Sequence, residues 1–347
     1  MVCAIRGLRP VALNAMTISD WMPPVTHRAD GGPRRVGVEI EFSGLTLEAT
    51  AALVAAAVSG GVTSPGRYER VITGDPAGDW ETELDFTLLK RLGRRERDGA
   101  EWPDAAGDLA EDVLRLLAER IVPVEVVSPP LPLERLDSVN DLIRKLRAAG
   151  ARGTGEELAY AFGLQLNPEL PDTDVDTIRR YLQAFLCVED WLRERAAVDL
   201  TRRLTLFAEP FSKAYARKVV AAAYSPNRDR LIDDYLDANP TRNRALDLLP
   251  LFLHLDPERV RAVVEDERVK PRPTLHYRLP NSEIDRPGWD LGDAWGDWLV
   301  VERLAADPVR LDALCQAYSA FLAQPLERLV GDWTADTAEW LHRNRLR

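Results

Sequence analysis

Over residues 35–42, RVGVEIEF, polar and apolar positions alternate one by one. On a β-strand that puts Val38, Ile40 and Phe42 on one side and Glu39 and Glu41 on the other. Runs bounded by Gly, Pro or Asp predict four further strands, at 68–73, 80–88, 121–128 and 159–167. Helices are expected between them at 47–58, 105–119 and 134–148. In the last, Leu136, Val139, Leu142, Ile143 and Leu146 recur at helical spacing.

After Pro171 the texture becomes helical, with spans predicted at 175–198, 289–305, 308–323 and 334–345. A single late strand is expected at 274–279, between Pro273 and Pro280. It must rejoin the early sheet, since one strand cannot bury its faces alone. Strands joined mostly by hairpins, with helices to one side, make the expected class α+β. Residues 1–33 hold no continuous apolar run and are broken by Pro23 and Pro24, so a loosely ordered leader is expected there. Residues 34–347 then form a single domain, with its helix-rich part at 172–347.

Composition narrows the function. The 347 residues are 46% hydrophobic and 29% charged, a globular balance, and 45 Lys and Arg against 56 Asp and Glu give a net charge of −11. A whole-surface nucleic-acid role is thereby disfavoured. No apolar run approaches the roughly 20 residues of a membrane helix. Cys3, Cys187 and Cys315 fit neither a disulfide framework nor a Cys-based zinc site, so a reducing, cytoplasmic setting is expected. The nine tryptophans and the helical C-terminal half leave room for a homo-oligomer interface.

The chemistry is written in acids on strands. Glu39 and Glu41 lie about 7 Å apart along theirs, although a solvated amphipathic strand has the same pattern. On 80–88, Glu81, Glu83 and Asp85 share one face. In VPVEVV, Glu125 is out of pattern, and a carboxylate among apolar neighbours needs a cation or strong donors. Acids this dense across a sheet repel unless neutralised. Oxygen ligands without Cys or His select Mg²⁺ or Mn²⁺, and His27, His254, His276 and His342 show no zinc-type spacing. The chain has no GxxxxGK[ST] loop. Gly150, Gly153 and Gly155 read more readily as a helix-to-strand loop than as a phosphate cradle.

In order, GVEIEF, an acidic strand ending in LDFTLLK, and VPVEVVSPPLP resemble the amidoligase family, carboxylate–amine ligases related to γ-glutamylcysteine ligase and glutamine synthetase. The resemblance spans about 34–280. It implies a curved, largely antiparallel sheet of the glutamine-synthetase-like catalytic type with flanking helices. It also implies ATP and Mg²⁺ (or Mn²⁺) as cofactors, and small-molecule or peptide carboxylate and amine substrates. Carried over, Glu39, Glu41, Asp85 and Glu125 match the metal-binding acids, with Glu41 also catalytic. Arg278, in PTLHYRLPN, matches a catalytic, phosphate-facing arginine that also binds the nucleotide. Gln165 and Asn167 stand where many members have HVH; they can hydrogen-bond a nucleotide but cannot act as acid or base. Arg242 and Arg244, in NPTRNRALDLLP, read as solvated arginines near a helix start. Two readings compete with the ligase: a metal-dependent phosphohydrolase using the same acids, and a non-catalytic nucleotide-binding relative.

Overall fold

The computed structural model describes residues 21–84, 123–154, 162–196, 208–324 and 331–347. Strands β1 (Arg35–Phe42), β2 (Gly61–Gly66), β3 (Glu69–Thr73), β4 (Trp80–Leu84), β5 (Val124–Val127), β6 (Leu131–Pro132), β7 (Leu164–Pro168), β8 (Leu246–Asp247) and β9 (His276–Tyr277) form one antiparallel sheet. Its order is β2-β3-β4-β5-β1-β7-β9-β8, with β6 paired beside β1. The helices are α1 (Leu47–Val58), α2 (Ser138–Ala148), α3 (Val175–Arg195), α4 (Lys213–Val220), α5 (Arg228–Ala238), α6 (Leu249–Leu255), α7 (Pro257–Arg261), α8 (Leu291–Ala305), α9 (Pro308–Ala323) and α10 (Trp333–Arg343). The chain is thus a mixed helix-and-sheet protein, and none of these helices is long and apolar enough to cross a membrane.

The alternation in β1 works as read: Val36, Val38, Ile40 and Phe42 are buried beneath the sheet. Helix α1, capped by Thr46 Oγ1 accepting from the Ala49 N–H, packs over β2, β3, β4 and β5. At the other end Tyr277 of β9 meets Phe185 of α3 and Trp298 of α8, with ring centroids 6.0 and 5.3 Å apart. The two helical groups therefore share the apolar face, leaving the opposite face to polar side chains.

Several expectations change. Hairpins link β2, β3 and β4, but β1 enters between β5 and β7, so the centre of the sheet is non-local. The late strand is only two residues of ladder, extended by bridges from Thr274 to Glu169 and from Asn281 to Gly163, because Pro273 and Pro280 lack the N–H a longer ladder needs. Strand β2 escapes the alternation rule: it is an exposed edge with Pro65 and a register shift between Thr63 and Gly66. The span 134–148 opens as a 3₁₀ turn at Leu133–Arg135 before α2 begins. The predicted helix at 105–119, like residues 85–88, 121–122, 159–161 and 197–198 of other predicted elements, lies outside the described residues.

Residues 21–33 are held to the domain. Trp21 is buried, its carbonyl accepts from Trp295 Nε1, and the Ala29 N–H donates to the Pro171 carbonyl. Beside them Arg34 is buried against Glu302 of α8 (2.7 and 2.9 Å), and Tyr181 and Trp298 donate to the same carboxylate. Satisfied on all sides, this pair fixes the start of β1 over the helices. Breaking it from one side would leave a buried charge unpaired.

Candidate active site

Registers across the antiparallel pairs place the polar residues in rows. Glu41 lies opposite Glu125, and Glu125 opposite Glu83, so three carboxylates cross three adjacent strands. The next row runs Glu81, Val127, Glu39, Gln165. On β7 and β9, Leu166 is paired with Tyr277, which puts Gln165 and Asn167 on the polar face with His276 and Arg278. Asp247 of β8 sits opposite His276. Exposure falls along this face, from exposed Glu81 and Glu83 to buried Gln165, Asn167, His276, Arg278 and Asp247.

The hydrogen bonds form a chain. Glu41 accepts from the Gly163 N–H (2.7 Å) and from Gln165 Nε2 (2.9 Å). A carboxylate can only accept, so the amide nitrogen of Gln165 faces Glu41 and its Oε1 faces His276 Nε2 at 2.7 Å. The network therefore assigns the ring proton of neutral His276 to Nε2. The other ring nitrogen, Nδ1, lies 4.0 Å from Asp247. By the same logic Asn167 gives its Nδ2 to Glu39 (2.8 Å), and its buried Oδ1 accepts nothing among the described residues. Arg272 reaches Glu39 at 3.5 Å and His276 Nε2 lies 3.7 Å from it.

Burial sets the protonation states. It pushes His276 down to about 4, with Arg278 and Arg272 adding to the fall and Glu39 opposing it, so the ring is neutral at pH 7. Burial pushes Asp247 up to about 6 against the Leu249 N–H and the guanidiniums of Arg278, Arg242 and Arg272. For Glu39, burial works upward, but His276, Arg272 and Asn167 together pull the carboxyl well below the usual range. One end of the face thus carries acids. The other is a buried imidazole and carboxyl beneath arginines.

Of the residues singled out from sequence, Glu39, Glu41, Glu125, Gln165, Asn167 and Arg278 share this face, and Asp85 lies outside the described residues. Among the described residues no three His, Cys, Asp or Glu side chains gather closely enough to hold a metal ion. The donor set nevertheless suits a hard cation. Glu83, Glu125 and Glu41 offer only oxygen, and side chains directly opposite in a sheet start about 4.5–5.5 Å apart at Cβ. The glycine run is a loop. Gly150, at φ 104°, ends α2, and a Cβ on Gly153 would come within 2.4 Å of the Ser282 carbonyl; Gly155 is not described.

The reading of Arg242 and Arg244 needs correction. No helix begins until Leu249; Arg244 pairs with Glu209 at 3.2 Å, and Arg242 is half-buried beside Arg278, whose NH1 donates to the Arg242 carbonyl at 3.2 Å. His276, Asp247 and Arg272 were missed altogether. Two signals were present: His276 and Arg278 alternate with Leu275, Tyr277 and Leu279, and Asp247 is an acid inside the apolar run LDLLP. The same anomaly had marked Glu125.

A sequence model of the family described as "Putative amidoligase enzyme" matches residues 32–300. Its limits enclose every strand of the sheet. A comparison with curated proteins finds no match.

Proposed function

The chain belongs to the amidoligase family, and from that premise we propose that it is an ATP-dependent ligase joining a carboxylate to an amine. The observation that carries this reading is the division of one sheet face into a row of acids, Glu83, Glu125 and Glu41, and a basic end around Arg278. Phosphoryl transfer to a carboxylate brings together an anionic donor and an anionic acceptor, so both cation-holding and guanidinium groups are needed. The sheet would then be of the glutamine-synthetase-like type.

Glu41, Glu125, Glu83 and Glu39 are the residues that would hold Mg²⁺ or Mn²⁺, and the family resemblance adds Asp85 to them. When bound, the metal would neutralise charge on the phosphates and orient them. The acid's oxygen takes the γ-phosphoryl group as its bond to ADP breaks; the amine nitrogen then attacks the acyl carbon, phosphate leaves, and the nitrogen gives up a proton to a base. Arg278 offers a planar fork to the transferring oxyanion. Gln165 couples the acid row to His276, holding Glu41 in its acceptor role and the imidazole in one tautomer. In this chain the imidazole of the site stands on β9 rather than on β7.

The experiment is coupled ADP release across pools of acids and amines with Mg²⁺. A ligase releases ADP only when both co-substrates are present. Release with ATP alone would mean a phosphohydrolase. ATP binding without ADP release under any pairing would leave a non-catalytic nucleotide-binding relative.

A further inference from the structure

The loop 239–245 brings a second guanidinium to the basic end of the face. Arg242 is half-buried, yet among the described residues its side chain makes no hydrogen bond and no ion pair. Arg278 donates to the Arg242 carbonyl at 3.2 Å, so the two residues are fixed relative to each other. The nearby acids are committed or held off. Glu39 lies with Arg272 at 3.5 Å, Asp266 with Arg268 at 2.6 Å, and Asp247 Oδ1 accepts from the Leu249 N–H at 2.9 Å. Burial depresses the Arg242 pKa, repulsion from Arg278 and Arg268 depresses it further, and attraction from Asp247 and Asp266 offsets this only in part, as expected of a guanidinium with no carboxylate in direct contact. Partly desolvated arginines without a carboxylate are costly to keep for packing alone. Arg244, two residues on, shows the ordinary alternative: it pairs with Glu209 and donates to the Pro210 carbonyl at 2.9 Å.

We propose that Arg242 and Arg278 form a two-guanidinium clamp for an oxyanion of the bound ligand. The proposal deepens the ligase reading and rests on it for the identity of that ligand. The shared chemistry is a planar fork meeting two oxygens, which a phosphoryl group and a substrate carboxylate both supply.

Calorimetric titration of the full chain with inorganic phosphate and, separately, with succinate distinguishes these sources. In wild type at least one of the two anions binds. Arg242→Gln weakens that binding about tenfold or more, as loss of one charge-assisted bidentate contact requires. The sign of its stability change is the second readout. With no ligand present, Arg242→Gln melts at or above wild type, since the substitution removes a repelled charge; a packing arginine would melt lower when replaced. Arg242→Lys keeps the charge and tests the fork should the Gln variant fold poorly: it binds several-fold more weakly than wild type. A loss confined to phosphate assigns the clamp to the phosphoryl group, and a loss confined to succinate assigns it to the acid. Equal binding of both anions by wild type and both variants would overturn the proposal, as would a Gln variant that melts well below wild type without ligand. Because binding is read without turnover, an absence of coupled ADP release would remove the ligase reading and leave this test intact.

Discussion

The two ends of the polar face are built by different rules. The acid end uses strands of four to eight residues, β4, β5 and β1, whose registers put Glu83, Glu125 and Glu41 side by side with solvent access. The basic end uses two-residue strands, β8 and β9, together with loop arginines. Its groups, His276, Asp247 and Arg278, are almost wholly buried. Neighbouring carboxylates at a solvent-accessible row have water to solvate them. A buried imidazole and carboxyl must instead settle their protons against the protein alone. One face therefore holds a charge-gathering surface and a pre-set hydrogen-bond network, joined through Gln165.

The largest expected effect falls on the junction. Glu41→Gln removes one charge from the acid row and also disturbs the network, because the Gly163 N–H and Gln165 Nε2 meet different oxygens of Glu41, and in the amide one of those positions becomes an NH₂ donor. The structure assigns Glu41 two donors, so the metal-free variant should lose about 1–3 kcal/mol. ADP formation should fall about 10²–10³-fold, the scale for losing one charge-organising group at a reacting centre. Thermal shifts with Mg²⁺ should shrink as well. Equal metal-induced shifts in the two proteins would detach Glu41 from the acid end and leave it a purely structural acceptor.

A second measurement addresses the basic end through pH. His276 is depressed from 6.5 to about 4, so the unfolded chain binds its proton first, and stability from this group is lost as pH falls through that window. Asp247 is raised from 3.8 to about 6, so the folded chain keeps its proton longer, and stability from this group is lost as pH rises through that window. Each shift corresponds to about 3 kcal/mol, and between pH 4 and 6 the two nearly cancel. Substitution unmasks them. Relative to wild type, His276→Gln should gain stability as pH falls from 6 to 4, and Asp247→Asn should lose it. Denaturant melts at closely spaced pH values read these slopes; parallel slopes in all three proteins would show that the buried pair does not titrate as described.

How much of this was legible follows the same division. Strand β1 and helices α1 and α9 run over the spans their periodicity marks, because long elements repeat a pattern often enough to be read. The pairing of Glu125 with Glu41 was not legible, since register across 84 positions is set by tertiary packing; nor was Glu83, whose place in the row depends on that register. Gln165 and Asn167 could be placed on a strand, but not their partners, because hydrogen-bond direction depends on what stands opposite. His276 sat in view in an alternating segment, but spacing rules for zinc look along the chain and never across to β7. Arg242 was hidden more deeply. A short loop carries no period, and a half-buried arginine looks like a solvated one until its neighbours are known.

The smallest effect tests where the two ends meet. Gly37 lies opposite Asn167, in the row next to Glu39, and it is the one position of β1 on this face without a side chain. Its φ is not in the left-handed region, so alanine meets no backbone strain there. A Cβ at that site would touch Asn167 Cβ at 3.4 Å, an ordinary contact. Gly37→Ala should therefore raise stability by about 0.4–1 kcal/mol, chiefly by restricting the unfolded chain. Because the methyl falls against Asn167 rather than among the acids, ligase turnover should stay within about threefold of wild type, well under the 1.4 kcal/mol that a tenfold change represents. Chemical denaturation paired with the ADP assay measures both. A stable Gly37→Ala protein that has lost activity would move the boundary of the site, showing that ligand occupies the space above Gly37 and that the acid end extends one row further than Glu39.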